Sequence, residues 1–325
     1  MARSFIQPSQ LTRLLREYRP SARLVSLDRL PGGSKKGVYR VTFDDAATVI
    51  LYAWSAAENY WPASADPADD PFSDATGADL LAASTAALAS AGVRIPQVYS
   101  WDLSHTAVPA DLALVEDVRG GSLEDLIAAD PSAAAPPLAQ LGLALRAMGG
   151  HRTARYGKVA LVERGLAAQG SSPEDLILGR AIGHLDAASA RVSRLGHARP
   201  QVAELLSARR AAVRPRAEYA LVHGELGPDH VLIGEDGQPV LIDIEGLTYF
   251  DVEWEHAFLR LRFTPDELGL LGLPAPDEAR VALYLLAQRI SLIEGPLRIA
   301  DTDFPGREWM LDLAEHHLAA VLAEV

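Results

Sequence analysis

Residues 221–246 read LVHGELGPDHVLIGEDGQPVLIDIEG, and the fold of the chain turns on this stretch. Two apolar runs, Tyr219 to His223 and Val240 to Ile244, flank a loop dense in Gly, Pro, Asp, Glu and His, with a shorter run from Val231 to Ile233 between them. Short apolar runs bounded by turn residues specify loop, strand, turn, strand. Glu235, Asp236 and Gly237 write the turn, so Val231 to Ile233 and Val240 to Ile242 are expected to pair as a hairpin. Such a hairpin places Glu225 and His230 before its first strand and Asp243 and Glu245 after its second, so both ends meet. Three carboxylates and an imidazole at one mouth repel one another unless a cation or a transferable proton is held among them.

Composition narrows the setting. At 325 residues, 49% of them hydrophobic, the chain is long enough for one large or two modest domains with real cores. Acidic residues outnumber basic ones 43 to 30, which argues against nucleic acid as the main partner. The excess favours a cationic or neutral ligand, or serves only to keep the protein soluble. With no cysteine there is no disulfide framework, thiolate metal site or thiol nucleophile. The start MARSFIQPSQLTRLL is too polar for a signal peptide, and no apolar run reaches the roughly 18 residues of a membrane span. A cytoplasmic protein without membrane contact is the expectation, as monomer or homodimer.

A short helix is expected over residues 9 to 18, followed by strands at Ala22 to Leu30, Val38 to Phe43 and Thr48 to Trp54. Between the first two strands lies Pro31-Gly32-Gly33-Ser34-Lys35-Lys36-Gly37, a Gly-rich basic loop. Backbone N–H groups and an ammonium on such a loop can hold phosphates, although a plain hairpin connector reads the same way. Residues 62 to 75 are rich in Pro and Asp and are expected to form a flexible excursion. A helix over Thr76 to Ala91, stopped by Gly92, and strands at Ile95 to Trp101 and Ala113 to Val118 complete this part. The strand pattern ends after Val115, and Glu116-Asp117-Val118-Arg119-Gly120-Gly121 is the expected boundary between lobes of residues 1–116 and 122–325, with 117–121 as hinge. Helical periodicity follows at Ser122 to Ala129, Pro137 to Gly149, Ser172 to about Arg194, Gln201 to Val213, Val252 to Arg262, Asp277 to Ile293 and Arg307 to Val325.

With these pieces in order, the chain resembles the aminoglycoside phosphotransferase and choline kinase group, relatives of the protein kinases. The group's motif is His-Gly-Asp, four residues, Asn, and a hairpin ending in a magnesium-binding Asp. Here it stands as His223-Gly224-Glu225, Leu226 to Asp229, His230, and Asp243 within Leu241-Ile242-Asp243-Ile244-Glu245. The resemblance runs from about residue 22 to 260. It implies an α+β, two-lobed protein-kinase-like fold: a five-stranded antiparallel sheet with one main helix, then a larger helical lobe with an embedded hairpin. It also implies transfer of the γ-phosphoryl of ATP or GTP, with Mg2+, to a hydroxyl of a small molecule, an antibiotic of aminoglycoside, macrolide or nucleoside type being the expected acceptor. The alternative is a pseudokinase that binds nucleotide or metabolite without turnover.

Carried over position by position, the resemblance makes Glu225 the catalytic base and Asp243, His230 and Glu245 the metal ligands. Gly32, Gly33, Ser34, Lys35 and Lys36, with Glu116 and Val118 at the hinge, become the nucleotide contacts. Three positions depart from the group. Glu225 stands for its Asp, with an added methylene. His230 stands for its Asn and offers magnesium a nitrogen where the ion prefers oxygen. The third strand carries no Lys for the phosphates: Val49-Ile50-Leu51-Tyr52 offers Tyr52, so Lys35 or Lys36 must serve from the loop. On an exposed loop, replacing both lysines should leave the unfolding temperature unaltered. Asp79, or else Glu58, is the expected acidic partner of that lysine. His223 is expected to fix the loop, with Asp251 and Glu255 as braces. Tyr60, Trp61 and Trp101 are expected to be packing residues. Trp309, Glu315 and His316 are candidate substrate contacts.

Overall fold

The structure is a computed structural model and describes residues 3–31, 33–61, 70–72, 76–168, 170 and 172–325. Gly32 and most of the 62 to 75 stretch therefore lie outside the described residues.

A 3-10 turn at Pro8–Leu11 leads into α1 (Thr12–Tyr18). Then come β1 (Leu24–Arg29), β2 (Gly37–Phe43), β3 (Thr48–Trp54), α2 (Ala78–Ser90), β4 (Val98–Asp102) and β5 (Asp111–Glu116). The five strands form one antiparallel sheet in the order β1-β2-β3-β5-β4. Alternation sorts the side chains of β3 to two faces. Val49, Leu51 and Ala53 pack with Leu11, Leu14 and Leu15 beneath α1, while Ile50 and Tyr52 face α2 and the second lobe. Both faces are thus buried, which is why β3 reads as a continuous apolar run.

The larger lobe begins with α3 (Leu123–Ala129) and α4 (Pro131–Gly150), then β6 (Arg152–Thr153), β7 (Gly157–Lys158), α5 (Val159–Val162), α6 (Pro173–Ser189) and α7 (Ser193–Ala212). It continues with β8 (Tyr219–Val222), β9 (Val231–Ile233), β10 (Pro239–Leu241), β11 (Thr248–Phe250), α8 (Val252–Arg262), α9 (Pro265–Leu271), α10 (Glu278–Ile299) and α11 (Arg307–Leu322). The expected hairpin is present: Val240 pairs with Leu232 and Leu241 with Val231, with the second strand beginning one residue earlier, at Pro239.

Three expectations are corrected. Strands do not end after Val115, because β6, β8, β11 and β7 make a four-stranded sheet. Strands of two to four residues are too short to show a period. Proline misplaced two helix starts. α4 begins at Pro131, where the Asp130 carboxylate caps the N–H groups of Ser132 and Ala133, and it runs through Pro136 and Pro137. Where a single helix was expected over 172 to 194, α6 stops at Ser189, and α7 begins at Ser193 after the extended Val192 and runs through Pro200.

Candidate active site between the lobes

The loop after β8 is clamped from two sides. The Nε2–H of His223 donates to the carbonyl of Ile242 at 2.9 Å, tying the loop to the end of the hairpin. From α8, the Glu255 carboxylate accepts the backbone N–H groups of His223 (2.6 Å) and Gly224 (3.1 Å), and the indole N–H of Trp254 donates to the Gly224 carbonyl (3.0 Å). Burial pushes the Glu255 carboxyl up, against the pull of His223 and the backbone donors. Held this way, the loop leaves the Glu225 side chain exposed and lining the cleft. A carbonyl can only accept, so the contact of His230 Nδ1 with the Glu225 carbonyl (2.8 Å) puts the ring hydrogen on Nδ1. Nε2 then faces Asp243 Oδ2 at 3.9 Å and Asp229 Oδ2 at 3.8 Å.

Asp243 follows β10 with φ +57° and ψ +45°, a left-handed backbone that costs a non-glycine residue about 1–3 kcal/mol. That turn aims its half-exposed carboxylate at the cleft, while Glu245 is 2% exposed. Of the cation or shared proton expected among these acids, the protein itself supplies a cation beside two of them. Lys36 Nζ lies 2.9 Å from Asp243 Oδ1, 2.5 Å from Glu245 Oε1 and 4.8 Å from the centroid of the Tyr52 ring. Burial by itself would lower the Lys36 ammonium, but Asp243 and Glu245 outweigh it and hold its pKa far above the ordinary lysine value. The Lys36 charge in turn holds the Asp243 carboxyl well below the usual range. Glu245 Oε2 is buried without a hydrogen-bond partner. No three His, Asp or Glu side chains converge closely enough to form a ready metal cage among the described residues.

The two loop lysines have separate places. Lys36 is 8% exposed and bridges the lobes, so the picture of an exposed pair whose loss leaves stability untouched is corrected. Lys35 Nζ lies 5.3 Å from the Trp61 ring centroid. Gly33 adopts φ +64°, and a Cβ there would stand 2.9 Å from the Lys36 carbonyl, so this position needs glycine to turn Lys36 inward. Neither expected acidic partner meets a lysine: Asp79 is exposed, and Glu58 is buried against Arg29 and Tyr39. At the expected hinge, the Glu116 side chain turns to Arg94 (3.2 Å) and Val118 is buried, and neither lines the main cleft.

Gly33, Ser34, Lys35, Lys36, Glu225, Asp243 and Glu245 do share one cavity, of about 490 Å³. Its far end is walled by side chains from α6, α8, α10 and α11, together with Trp61 and Phe72. Trp61 was expected only to pack, and no period or motif marks it, because it reaches the cavity from a loop. From the last helix, Met310 and Leu313 line the cavity, whereas Trp309 is 61% exposed and Glu315 pairs with Arg194 at 2.6 Å.

A β-rich lobe whose Gly-rich loop faces a His-Gly-acid loop across a cleft defines the protein-kinase-like phosphotransferase class. The chain belongs to the phosphotransferase enzyme family APH, whose model matches residues 26–298. Among solved structures it is similar to aminoglycoside phosphotransferase APH(4)-Ia (a thermostable mutant, apo form), with 16% identity, TM-score 0.64, and coverage of 96% of this chain and 98% of that one. It is also similar to APH(2")-IIia in its complex with GDP and kanamycin, with 19% identity, TM-score 0.63, and coverage of 95% and 98%. Spectinomycin phosphotransferase APH(9)-Ia, complexed with ADP and spectinomycin, gives 12% identity, TM-score 0.66, and coverage of 96% and 95%. At such identities the likeness is one of fold. No curated protein matches the chain in sequence.

Proposed function

We propose that this protein is a small-molecule kinase that moves the γ-phosphoryl group of ATP or GTP to a hydroxyl, an antibiotic hydroxyl being the acceptor class suggested by its structural relatives. One observation carries the reading: a buried lysine from the Gly-rich loop meets Asp243 and Glu245 at the floor of the cleft that Glu225 lines. Family membership supports it, as do the nucleotide and antibiotic complexes of the similar structures.

Lys36 takes the phosphate-binding duty that Tyr52 cannot, reaching from the loop to the place of the absent strand lysine. Asp243 and Glu245 suit magnesium: both give hard oxygens, both already surround a cation, and Glu245 Oε2 has no other partner. His230 Nε2 stands beside them as the weaker, nitrogen donor. When bound, the ion supplies positive charge for the phosphate oxygens. Loop amides at Gly33 to Lys35 line the phosphates. Glu225 accepts the acceptor's hydroxyl proton as the new oxygen–phosphorus bond forms and the bond from the γ-phosphorus to the β-phosphate oxygen breaks. Phosphates arriving at the cleft compete with Asp243 and Glu245 for Lys36. That latch favours a second reading, nucleotide holding without turnover, which only catalysis can reject.

The test joins binding to turnover. Magnesium with ATP or GTP should raise the unfolding temperature, and Asp243→Asn should abolish that shift while still folding. Glu225→Gln should cut transfer about a hundredfold or more with nucleotide affinity unchanged, and Glu225→Asp should retain activity. A nucleotide shift unchanged in Asp243→Asn removes Asp243 from the site. Binding without transfer to any hydroxylated acceptor establishes the pseudokinase.

A further inference from the structure

The far end of the cleft has a chemistry of its own. Its walls include Trp61, Phe72, Trp254, Phe258, Met310 and Leu313. Trp254 and Phe72 pack with ring centroids 4.7 Å apart, giving the pocket a fixed aromatic side. The Trp61 indole is pinned by its N–H to Ser34 Oγ (2.8 Å), and its ring lies against Gly295 of α10. Two cations flank that ring, the Lys35 ammonium and the Arg298 guanidinium, each 5.3 Å from its centroid.

Among the described residues, the charged side chains that line this end are mostly positive. Arg180 and Arg298 line it together with Lys35, against one acid, Glu294, beyond the carboxylates at the cleft floor among the described residues. Glu294 is itself within 3.5 Å of Arg298, and Arg180 pairs with Asp70 at 2.5 Å. Asp66, Asp69 and Asp74 lie outside the described residues. A ligand bearing several ammonium groups would have to sit beside guanidiniums and take these acids from them, an arrangement of like charges that binding sites select against. The formal net charge of −13 attracts cations at long range, but beyond about 8 Å at physiological salt that field is screened and the local groups decide.

We infer that the acceptor is a hydroxylated small molecule with a flat or apolar body and no cluster of ammonium groups, rather than a polycationic aminoglycoside. The aromatic walls take the body, and Arg180 and Arg298 tolerate neutral or anionic substituents. The inference rests on the phosphotransferase reading, because it names that reaction's acceptor.

Calorimetric titration of the full chain with magnesium and ADP present tests it. The probes are chloramphenicol and uridine, which are uncharged, flat-bodied and hydroxylated, against kanamycin and hygromycin B at physiological salt. At least one uncharged probe should bind about tenfold or more tightly than either aminoglycoside. Arg298→Glu should narrow or close that gap by strengthening the aminoglycosides roughly tenfold. Equal or tighter aminoglycoside binding to the unmodified protein, or no binding by any probe, overturns the inference. Transfer of a radiolabelled γ-phosphate is read separately. A bound uncharged probe that is never phosphorylated sinks the phosphotransferase reading and leaves the pocket chemistry standing.

Discussion

Lys36 joins the lobes through a charge that has left water, and removing one partner of such a pair is costly. Lys36→Ala leaves Glu245, 2% exposed, without its cation, so the loss should be about 3 kcal/mol or more. Lys35→Ala, over an indole at the cleft rim, should cost far less. Denaturant unfolding separates the two, and equal costs would mean that the Lys36 contact is absent in solution. The pH dependence has a fixed sign. Asp243 titrates below its unfolded value of about 3.9, so its contribution is present above that pH and lost as pH falls through the folded value. Lys36 titrates above its unfolded value of about 10.4, so its contribution is present below that pH and lost as pH rises through the folded value. The stability difference between the parent and Lys36→Ala should therefore be flat from about pH 5 to 10 and shrink below about pH 4.

Among the elements, α10 organises the larger lobe through one guanidinium. Arg280 is fully buried, contacts Asp251 at the start of α8, and lies 3.4 Å from Glu174 at the start of α6 and 3.3 Å from the Tyr284 hydroxyl. Burial alone would lower the Arg280 guanidinium, but Asp251 and its neighbours keep it charged, while burial raises the Asp251 carboxyl against the pull of Arg280. Arg280→Met keeps the volume and abandons two buried acids, at an expected cost of about 3–5 kcal/mol. Adding Asp251→Asn should recover part of that loss, as measured by urea unfolding. Complete additivity of the two changes would mean that the groups do not act as a pair.

At the scale of the whole molecule, the segment joining the lobes is docked on the hairpin. A Cβ on Gly120 would lie 2.2 Å from the Ile233 carbonyl, and the Ile233 N–H donates to the Gly121 carbonyl at 2.9 Å. Gly120→Ala must therefore displace backbone and, with it, the hairpin that ends in Asp243. The expected result is a loss of about 1–3 kcal/mol from overpacking, together with a fall in transfer of about a hundredfold if the shift reaches about 1 Å at the reacting groups. Stability and rate measured on the same variant check this, and an unchanged rate would show that the hairpin moves independently of the linker.

Local chemistry made much of this legible. The five strands of the first sheet, the longer helices and the hairpin follow from alternation, turn residues and spacing, which act within a few residues of chain. That the acids Glu225, Asp243 and Glu245 need a cation or a shared proton among them was also legible, as a matter of charge. Its source was not, because Lys36 lies 207 residues from Asp243 and only the closing of one lobe on the other brings them within 2.9 Å. The short sheet of β6, β8, β11 and β7 was hidden because each strand is held by its neighbours rather than by its own pattern. The same holds for the far end of the cleft. Trp61, Phe72, Arg180, Trp254 and Arg298 come from separate loops and helices, and each alone reads as ordinary packing or surface charge. Sequence by itself determined the class of fold and the acids at its centre. Which lysine faces them and what kind of molecule the far pocket admits were decided by tertiary structure, because both depend on groups far apart in the chain sharing one cavity.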